Sequence, residues 1–244
     1  MASDSSLHGS AEVMRLRTVL FFMFWLPMTA AFGVLALPAL LSTRLTWRVA
    51  DAWCWVTLFW LGLACNIHSE CRGGDNLPRT RVIYASKHQS AWDTLMLWRC
   101  LNRPQFILKR ELYWIPFFGW YLWRSEQIGI NRRARKEAMA TIIARAQEAK
   151  RSGRPLVIFP EGTRGKVGAE TMYHGGVAKL SHALGWPVIP VALNAGKFWP
   201  KRPIWKTPGT AVMEFLPPLP PCGEDKEAWL ADLKRHIEEA SARL

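Results

Sequence analysis

Residues 80–101, TRVIYASKHQSAWDTLMLWRCL, decide the fold of this chain of 244 residues. The first seven residues are mostly β-branched, aromatic or small, and they predict a strand at 80–86. The residues that follow the polar loop predict a helix at 92–102. A strand that leads through a short loop into a helix is the unit from which α/β folds are built.

The same alternation continues towards the C-terminus. Further apolar segments predict strands at 104–108, 127–131, 155–159, 188–193 and 210–215. Helices are predicted at 133–151, 174–184 and 224–242. Strands that alternate with helices indicate an α/β fold in which layered helices surround a largely parallel central sheet.

The N-terminal part of the chain is far more apolar. Residues 19–41 form a nearly continuous apolar run of 23 residues, and residues 52–67 form a second run of 16. Because about 20 apolar residues span a bilayer as a helix, these runs predict an N-terminal two-helix membrane motif. Pro27 and Pro38 interrupt the first run, so helices that dip into one leaflet are favoured over a two-pass hairpin. The predicted domains are residues 1–70, the membrane-associated helices, and residues 71–244, a globular domain.

The composition indicates an anionic partner. Lys and Arg number 32 against 19 Asp and Glu, which gives a net charge of +13, and the chain contains 14 Trp. Residues 99–154 alone hold thirteen basic residues and four Glu. A basic and Trp-rich sequence is typical of proteins that bind an anionic membrane surface. We do not expect nucleic acid as a partner. A solvated basic helix beside ordinary core aromatics is the alternative interpretation.

The loop HQSAWD, residues 88–93, carries the first candidate site. Loops at the carboxyl ends of strands in α/β folds are where ligands bind. A carboxylate at Asp93 can hold the imidazole of His88 in one tautomer, which leaves the other ring nitrogen free to take a proton. A helix-capping Asp93 beside a partly buried His88 is the structural alternative. The sequence contains no G-x-S-x-G, H-E-x-x-H, G-x-x-x-x-G-K-[ST] or G-x-G-x-x-G motif and no recognisable metal site.

The segment FPEGTRG, residues 159–165, carries the second candidate site and also follows an apolar strand. Gly162 and Gly165 allow the backbone to approach a ligand closely, and Arg164 offers a planar fork of donors for a phosphate. By itself the segment favours a turn that carries a surface arginine over a functional site.

Taken together, the blocks resemble the glycerolipid acyltransferase family, and within it the bacterial 1-acyl-glycerol-3-phosphate acyltransferases. The resemblance covers about residues 80–200 and rests on blocks that occur in the family's order. These blocks are HQSAWD at 88–93, LKREL and IPFFG at 108–119, IGINR at 128–132, FPEGTRG at 159–165 and VIPVALN at 188–194.

The resemblance implies a fold, a reaction and a set of site residues. The fold is that of the glycerolipid acyltransferases, and the reaction moves a fatty acyl group from a thioester to the sn-2 hydroxyl of lysophosphatidate, giving phosphatidic acid. His88 is the implied general base and Asp93 its partner. The implied substrate-binding residues are Lys109, Arg132, Glu161, Gly162, Thr163 and Arg164. The implied co-substrate is acyl-CoA or an acyl carrier protein thioester, with no cofactor and no metal, at the cytoplasmic face of the inner membrane.

Some positions depart from the family pattern and leave alternatives open. Lys87 stands where relatives often have Asn, Asn131 where Asp is common, and His174 where Lys is frequent. Acylation of another lyso-lipid, such as lyso-ornithine lipid, or of glycerol 3-phosphate is one alternative. A non-catalytic, membrane-associated lipid-binding protein is the other. Ser90 is not expected to carry the acyl group, because no nucleophile elbow surrounds it.

Overall fold

The computed structural model describes residues 2–74, 78, 81–131, 134–169 and 171–244. Within them the chain forms seven strands and seven α-helices, joined in places by short 3₁₀ turns. The strands are β1 (Ile67–Arg72), β2 (Ile83–Ser86), β3 (Gln105–Lys109), β4 (Ile128–Ile130), β5 (Leu156–Ile158), β6 (Val188–Leu193) and β7 (Gly209–Phe215). The helices are α1 (Ala2–Leu35), α2 (Thr43–Cys65), α3 (Trp92–Cys100), α4 (Phe118–Arg124), α5 (Arg135–Ser152), α6 (Gly176–Leu184) and α7 (Lys226–Arg243).

The strands form one sheet in the order β1-β7-β6-β2-β5-β3-β4. Every described pairing is parallel except β6 with β7, which is antiparallel. The expected α/β fold with a largely parallel central sheet is therefore confirmed. The six predicted strands correspond to β2–β7 within a few residues, although the predicted start of the first, at residue 80, lies outside the described residues.

Each face of the sheet is covered by its own group of helices. Tyr84 and Val157 contribute to a core that includes side chains of α1, α2 and α3. Their neighbours Ile83 and Leu156 contribute to a second core with α5, α6 and α7. This division follows from strand geometry, since successive side chains point to opposite faces of a sheet. By the same alternation, the side chain of residue 88 lies on the face covered by α3, and that of residue 87 lies on the face covered by α7.

The strand β1 was not predicted. Its sequence IHSECR is mostly polar, and only Ile67 is buried, so it shows no apolar run. It forms the edge of the sheet by pairing in parallel with β7. Residue 70, the predicted boundary between the two domains, falls inside this strand.

The helices α1 and α2 pack against each other as an antiparallel pair. The indole of Trp25 donates to Thr57 Oγ1 (3.3 Å), and that of Trp53 donates to Thr29 Oγ1 (3.1 Å). Of the described helices, only the segment Ala11–Leu35 of α1 is long and apolar enough to cross a membrane. A membrane role for α2, the second half of the predicted two-helix motif, stays a prediction.

A steric constraint fixes the turn between β3 and β4. The hydroxyl of Tyr113 donates to the carbonyl of Gln127 (2.6 Å) and accepts from the amide of Gly129 (2.9 Å). A Cβ atom at residue 129 would lie 2.3 Å from Tyr113 Cε2. The ring cannot swing aside without losing both hydrogen bonds.

We therefore expect Gly129→Ala to lower the free energy of unfolding by about 1–3 kcal/mol, the usual cost of overpacking. Gly223→Ala is the matched control, because a Cβ there meets no atom within 4 Å. Thermal unfolding of both variants in detergent tests the prediction. Equal melting temperatures for Gly129→Ala and Gly223→Ala would contradict it.

Candidate active site

The loop between β2 and α3 brings His88 and Asp93 into contact. His88 Nδ1 lies 3.0 Å from Asp93 Oδ2. The same carboxylate oxygen accepts the backbone amides of Gln89 (2.7 Å) and Ser90 (2.8 Å). Asp93 is fully buried, whereas the side chain of His88 remains 17% exposed. The ring is therefore oriented through Nδ1 while its other edge stays accessible.

The ring of His88 also stacks on Phe159, at the end of the neighbouring strand β5. The ring centroids are 4.0 Å apart and the planes differ by 21°. The sequence placed Phe159 only within a motif block and assigned it no contact. The signal that it offers is its position, because residues that follow adjacent parallel strands meet at one edge of the sheet.

The FPEGTRG turn is bonded to both backbone groups of His88. Glu161 Oε1 accepts from the amide of His88 (2.8 Å), and the amide of Gly165 donates to the carbonyl of His88 (2.8 Å). Gly162 makes the turn at a φ of +67°, a conformation that favours glycine. Two hydrogen bonds to the backbone of His88 thus join the two sequence blocks.

Glu161 occupies an unusual electrostatic environment. Burial raises the pKa of its carboxyl to about 7, even though the amide of His88 and the charge of Lys87 lower it. Only 4% of the residue is exposed, and it is not part of the groove lining described below. In the structure the carboxylate of Glu161 contacts the His88 backbone, and its predicted role in substrate binding stays a prediction.

A groove of about 770 Å³ opens beside His88. Four of the predicted substrate-binding residues line it, namely Lys109, Gly162, Thr163 and Arg164. Lys201, which the sequence did not single out, adds a further cation to the lining. Arg132, the remaining predicted contact, lies outside the described residues.

The rest of the groove is apolar and runs between the N-terminal helices and the sheet. Its walls come from α1, α2, α3, β3 and the segment 112–122, including Trp25, Ala30, Trp53, Phe106 and Phe117. The sequence missed these wall residues because they are distant from the motif blocks along the chain. The groove lining thus combines His88 and three cationic side chains with a larger number of apolar side chains.

Two other sequence expectations bear on this site. The hydroxyl of Ser90 is buried and accepts from the amide of Trp92 (3.1 Å), so it supports the first turn of α3. Among the residues that the structure describes, no group of three or more His, Cys, Asp or Glu could hold a metal ion.

Comparison with known proteins gives consistent results. A family model described as Acyltransferase matches residues 68–194. A 1-acyl-sn-glycerol-3-phosphate acyltransferase of Pseudomonas aeruginosa is 34% identical over 93% of this chain and 90% of its own length. The enzyme of that name from Escherichia coli is 29% identical over 75% of this chain and 73% of its own length.

The fold has a match among solved structures. The crystal structure of a 1-acyl-sn-glycerophosphate (LPA) acyltransferase from Thermotoga maritima superposes with a TM-score of 0.78. The alignment covers 94% of this chain and 97% of that chain at 20% sequence identity. At this identity the match establishes the shared fold.

The raised pKa of Glu161 predicts a pH dependence of stability. A carboxyl whose pKa rises from 4.5 to about 7 on folding binds its proton more tightly in the folded state. Its contribution to stability is therefore fully present below pH 4.5 and is lost as the pH rises to about 7. Glu161→Gln removes this dependence, so we expect the variant to gain on the order of 3 kcal/mol relative to wild type between those pH values. Unfolding in denaturant at several pH values measures the difference, and a pH-independent difference would contradict the assignment.

Proposed function

Because the chain belongs to the acyltransferase family, we propose that it transfers a fatty acyl group from a thioester to the sn-2 hydroxyl of 1-acyl-glycerol-3-phosphate. The product is phosphatidic acid, a precursor in phospholipid biosynthesis. The observation that carries the proposal is the groove, whose lining combines His88, the cationic side chains of Lys109, Arg164 and Lys201, and many apolar side chains. A phosphorylated lysolipid and an acyl chain need these two environments together.

His88 acts as the general base in this reaction. Its Nδ1–H donates to Asp93 Oδ2, so Nε2 carries the free electron pair that removes the proton of the acceptor hydroxyl. The hydroxyl oxygen attacks the thioester carbonyl, and the tetrahedral intermediate collapses to an ester. The imidazolium then returns the proton to the departing thiolate. The buried carboxylate of Asp93 favours the imidazolium, because an opposite charge nearby stabilises the charged form.

The cations of the groove bind the acceptor phosphate. Arg164 is partly exposed and, in the described part of the chain, is not paired with any carboxylate. Its guanidinium can therefore donate hydrogen bonds to two phosphate oxygens at once. Lys109 lines the same groove. The resemblance adds Arg132 to this set. The donor is acyl-CoA or an acyl carrier protein thioester, and we propose that no cofactor or metal is needed, because the thioester is already activated.

Membrane association follows from α1 and from charge. The segment Ala11–Leu35 leaves most of its surface outside the protein core. The net charge of +13 favours anionic lipid. We propose the cytoplasmic face of the inner membrane as the location, since acyl thioesters are intracellular co-substrates.

The acyl-transfer proposal is tested with purified protein, both thioester donors and a panel of acceptors, with products identified by mass. We expect phosphatidic acid from lysophosphatidate and none from His88→Ala. Arg164→Lys should lose about ten- to hundredfold in kcat/KM for lysophosphatidate, because a charge-assisted bond contributes about 1.5–3 kcal/mol.

Lys166→Ala is the control outside the groove, because Lys166 is exposed and is not among the groove residues, and it should leave kcat/KM near the wild-type value. A preference for lyso-ornithine lipid or glycerol 3-phosphate would identify that compound, in place of lysophosphatidate, as the acceptor. No thiol release with any acceptor would favour the lipid-binding alternative. A defect of Arg164→Lys that varies with the donor would reassign Arg164 to the donor phosphate.

The membrane proposal is tested by Met23→Arg, which places a charge on the exposed face of α1, where Met23 is 68% exposed. A charge at the centre of a membrane helix costs about 2.5–3.5 kcal/mol, so we expect vesicle binding to weaken about tenfold or more. Ala231→Arg on the exposed face of α7 is the control with the same change of charge. Equal sedimentation of the two variants with phosphatidylglycerol-containing vesicles would contradict this role of α1.

A further inference from the structure

Lys87 precedes the proposed catalytic base and extends the path of β2. Its backbone amide donates to the carbonyl of Val191 on β6 (3.0 Å), which continues the pairing of the two strands. Because side chains alternate along extended backbone, Lys87 and His88 point to opposite faces of the sheet. His88 lines the groove, whereas Lys87 lies on the face covered by α7.

On that face Lys87 belongs to a network of polar side chains. Its ammonium group pairs with Glu238 Oε2 on α7, and the hydroxyl of Tyr173 donates to Glu238 Oε1 (3.0 Å). The side chain of Lys87 is only 6% exposed, and Tyr173 is also buried. None of the three residues is part of the groove lining. A buried ammonium is costly unless it is paired, so the ion pair with Glu238 stabilises the Lys87 side chain in its buried position.

We propose that Lys87, anchored by Glu238 and Tyr173, is a positioning residue that holds His88 and its partner Glu161 in the working arrangement. This proposal deepens the proposed acyl transfer and rests on it. Lys87 acts through the backbone of His88 and through its charge, without touching substrate.

The charge of Lys87 acts on Glu161. Burial raises the pKa of Glu161, the amide of His88 and the charge of Lys87 lower it, and the charges of Glu238 and Asp93 raise it. These groups come from the end of β2, from α7 and from α3. Burial raises the pKa of the Tyr173 hydroxyl, in the segment before α6, and the charges of Glu238 and Glu161 raise it further.

The two members of the ion pair therefore shift the pKa of Glu161 in opposite directions. An ionised carboxylate accepts a stronger hydrogen bond from the amide of His88 than a protonated one does. Lys87 favours the ionised form, and Glu238 favours the protonated form. Removing each charge in turn should move the acidic limb of the activity profile in opposite directions.

The experiment compares Lys87→Met and Glu238→Gln as full-length proteins in detergent, with kcat/KM for lysophosphatidate measured between pH 5.5 and 9. We expect the acidic limb of Lys87→Met to move to higher pH, with kcat/KM about tenfold lower than wild type near pH 6.5 and recovery towards pH 9. The limb of Glu238→Gln should move to lower pH. Lys87→Arg, which keeps the charge, should restore the wild-type position.

Tyr173→Phe is the matched structural control, because it removes the hydrogen bond that Glu238 accepts from Tyr173 without changing any charge at neutral pH. The acidic limb of the Tyr173→Phe profile should keep the wild-type position even if the maximal kcat/KM is lower. Limb shifts of the same sign for Lys87→Met and Glu238→Gln, or loss of amplitude without a shift, would overturn the proposal. If Lys87→Met does not fold, Glu238→Gln and Lys87→Arg still decide between a shift and its absence.

A direct titration separates this proposal from the proposed function. The carboxyl ¹³C resonance of Glu161, assigned through Glu161→Gln, reports its protonation without any turnover. A higher titration midpoint in Lys87→Met and a lower one in Glu238→Gln support the network even if wild type acylates none of the acceptors. Unchanged midpoints alongside normal acyl transfer in wild type would overturn the network and leave the function standing.

Discussion

The buried carboxylate of Asp93 is the interaction on which the site depends. A carboxylate without access to water needs hydrogen-bond donors, because the cost of burying an unpaired charge is large. The loop from His88 to Ser90 supplies three donors to one oxygen, two of them backbone amides. The loop must therefore wrap around the carboxylate, and this wrapping orients the imidazole. The orientation of His88 is thus set by the same group of hydrogen bonds that satisfies the buried Asp93 oxygen.

The N-terminal helices are structural parts of the groove as well as candidates for membrane contact. The indole of Trp98 donates to Asp51 Oδ1 (2.7 Å), which joins α3 to α2. Trp47 of α2 lies against two cations, with the guanidinium carbons of Arg103 and Arg154 at 4.6 and 5.0 Å from its ring centroid. Because residues of α1 and α2 line the apolar part of the groove, the packing of these helices determines the shape of the groove.

These contacts change the interpretation of the tryptophan content. The sequence favoured an anionic membrane surface over ordinary core aromatics as the reason for the basic, Trp-rich composition. Trp92 and Trp98 are instead buried and donate to polar groups of β1 and α2, whereas Trp114, Trp120 and Trp123 are exposed. A buried indole is tolerated because its N–H finds an acceptor. Composition alone cannot separate these two uses of the same side chain.

The sequence by itself determined the alternation of strands and helices, the parallel character of the sheet and the residues 88–93 and 159–165 that meet at its edge. Those properties are local, because apolar runs, turns and short motifs are written in neighbouring residues. The edge strand β1, the groove walls from α1 and α2, the stacking of Phe159 and the ion pair of Lys87 with Glu238 were decided only by the tertiary structure. Each joins residues far apart in the chain, and Lys87 and Glu238 are separated by 151 positions. Such contacts depend on which elements pack together, and no local pattern of charge or hydrophobicity specifies that choice.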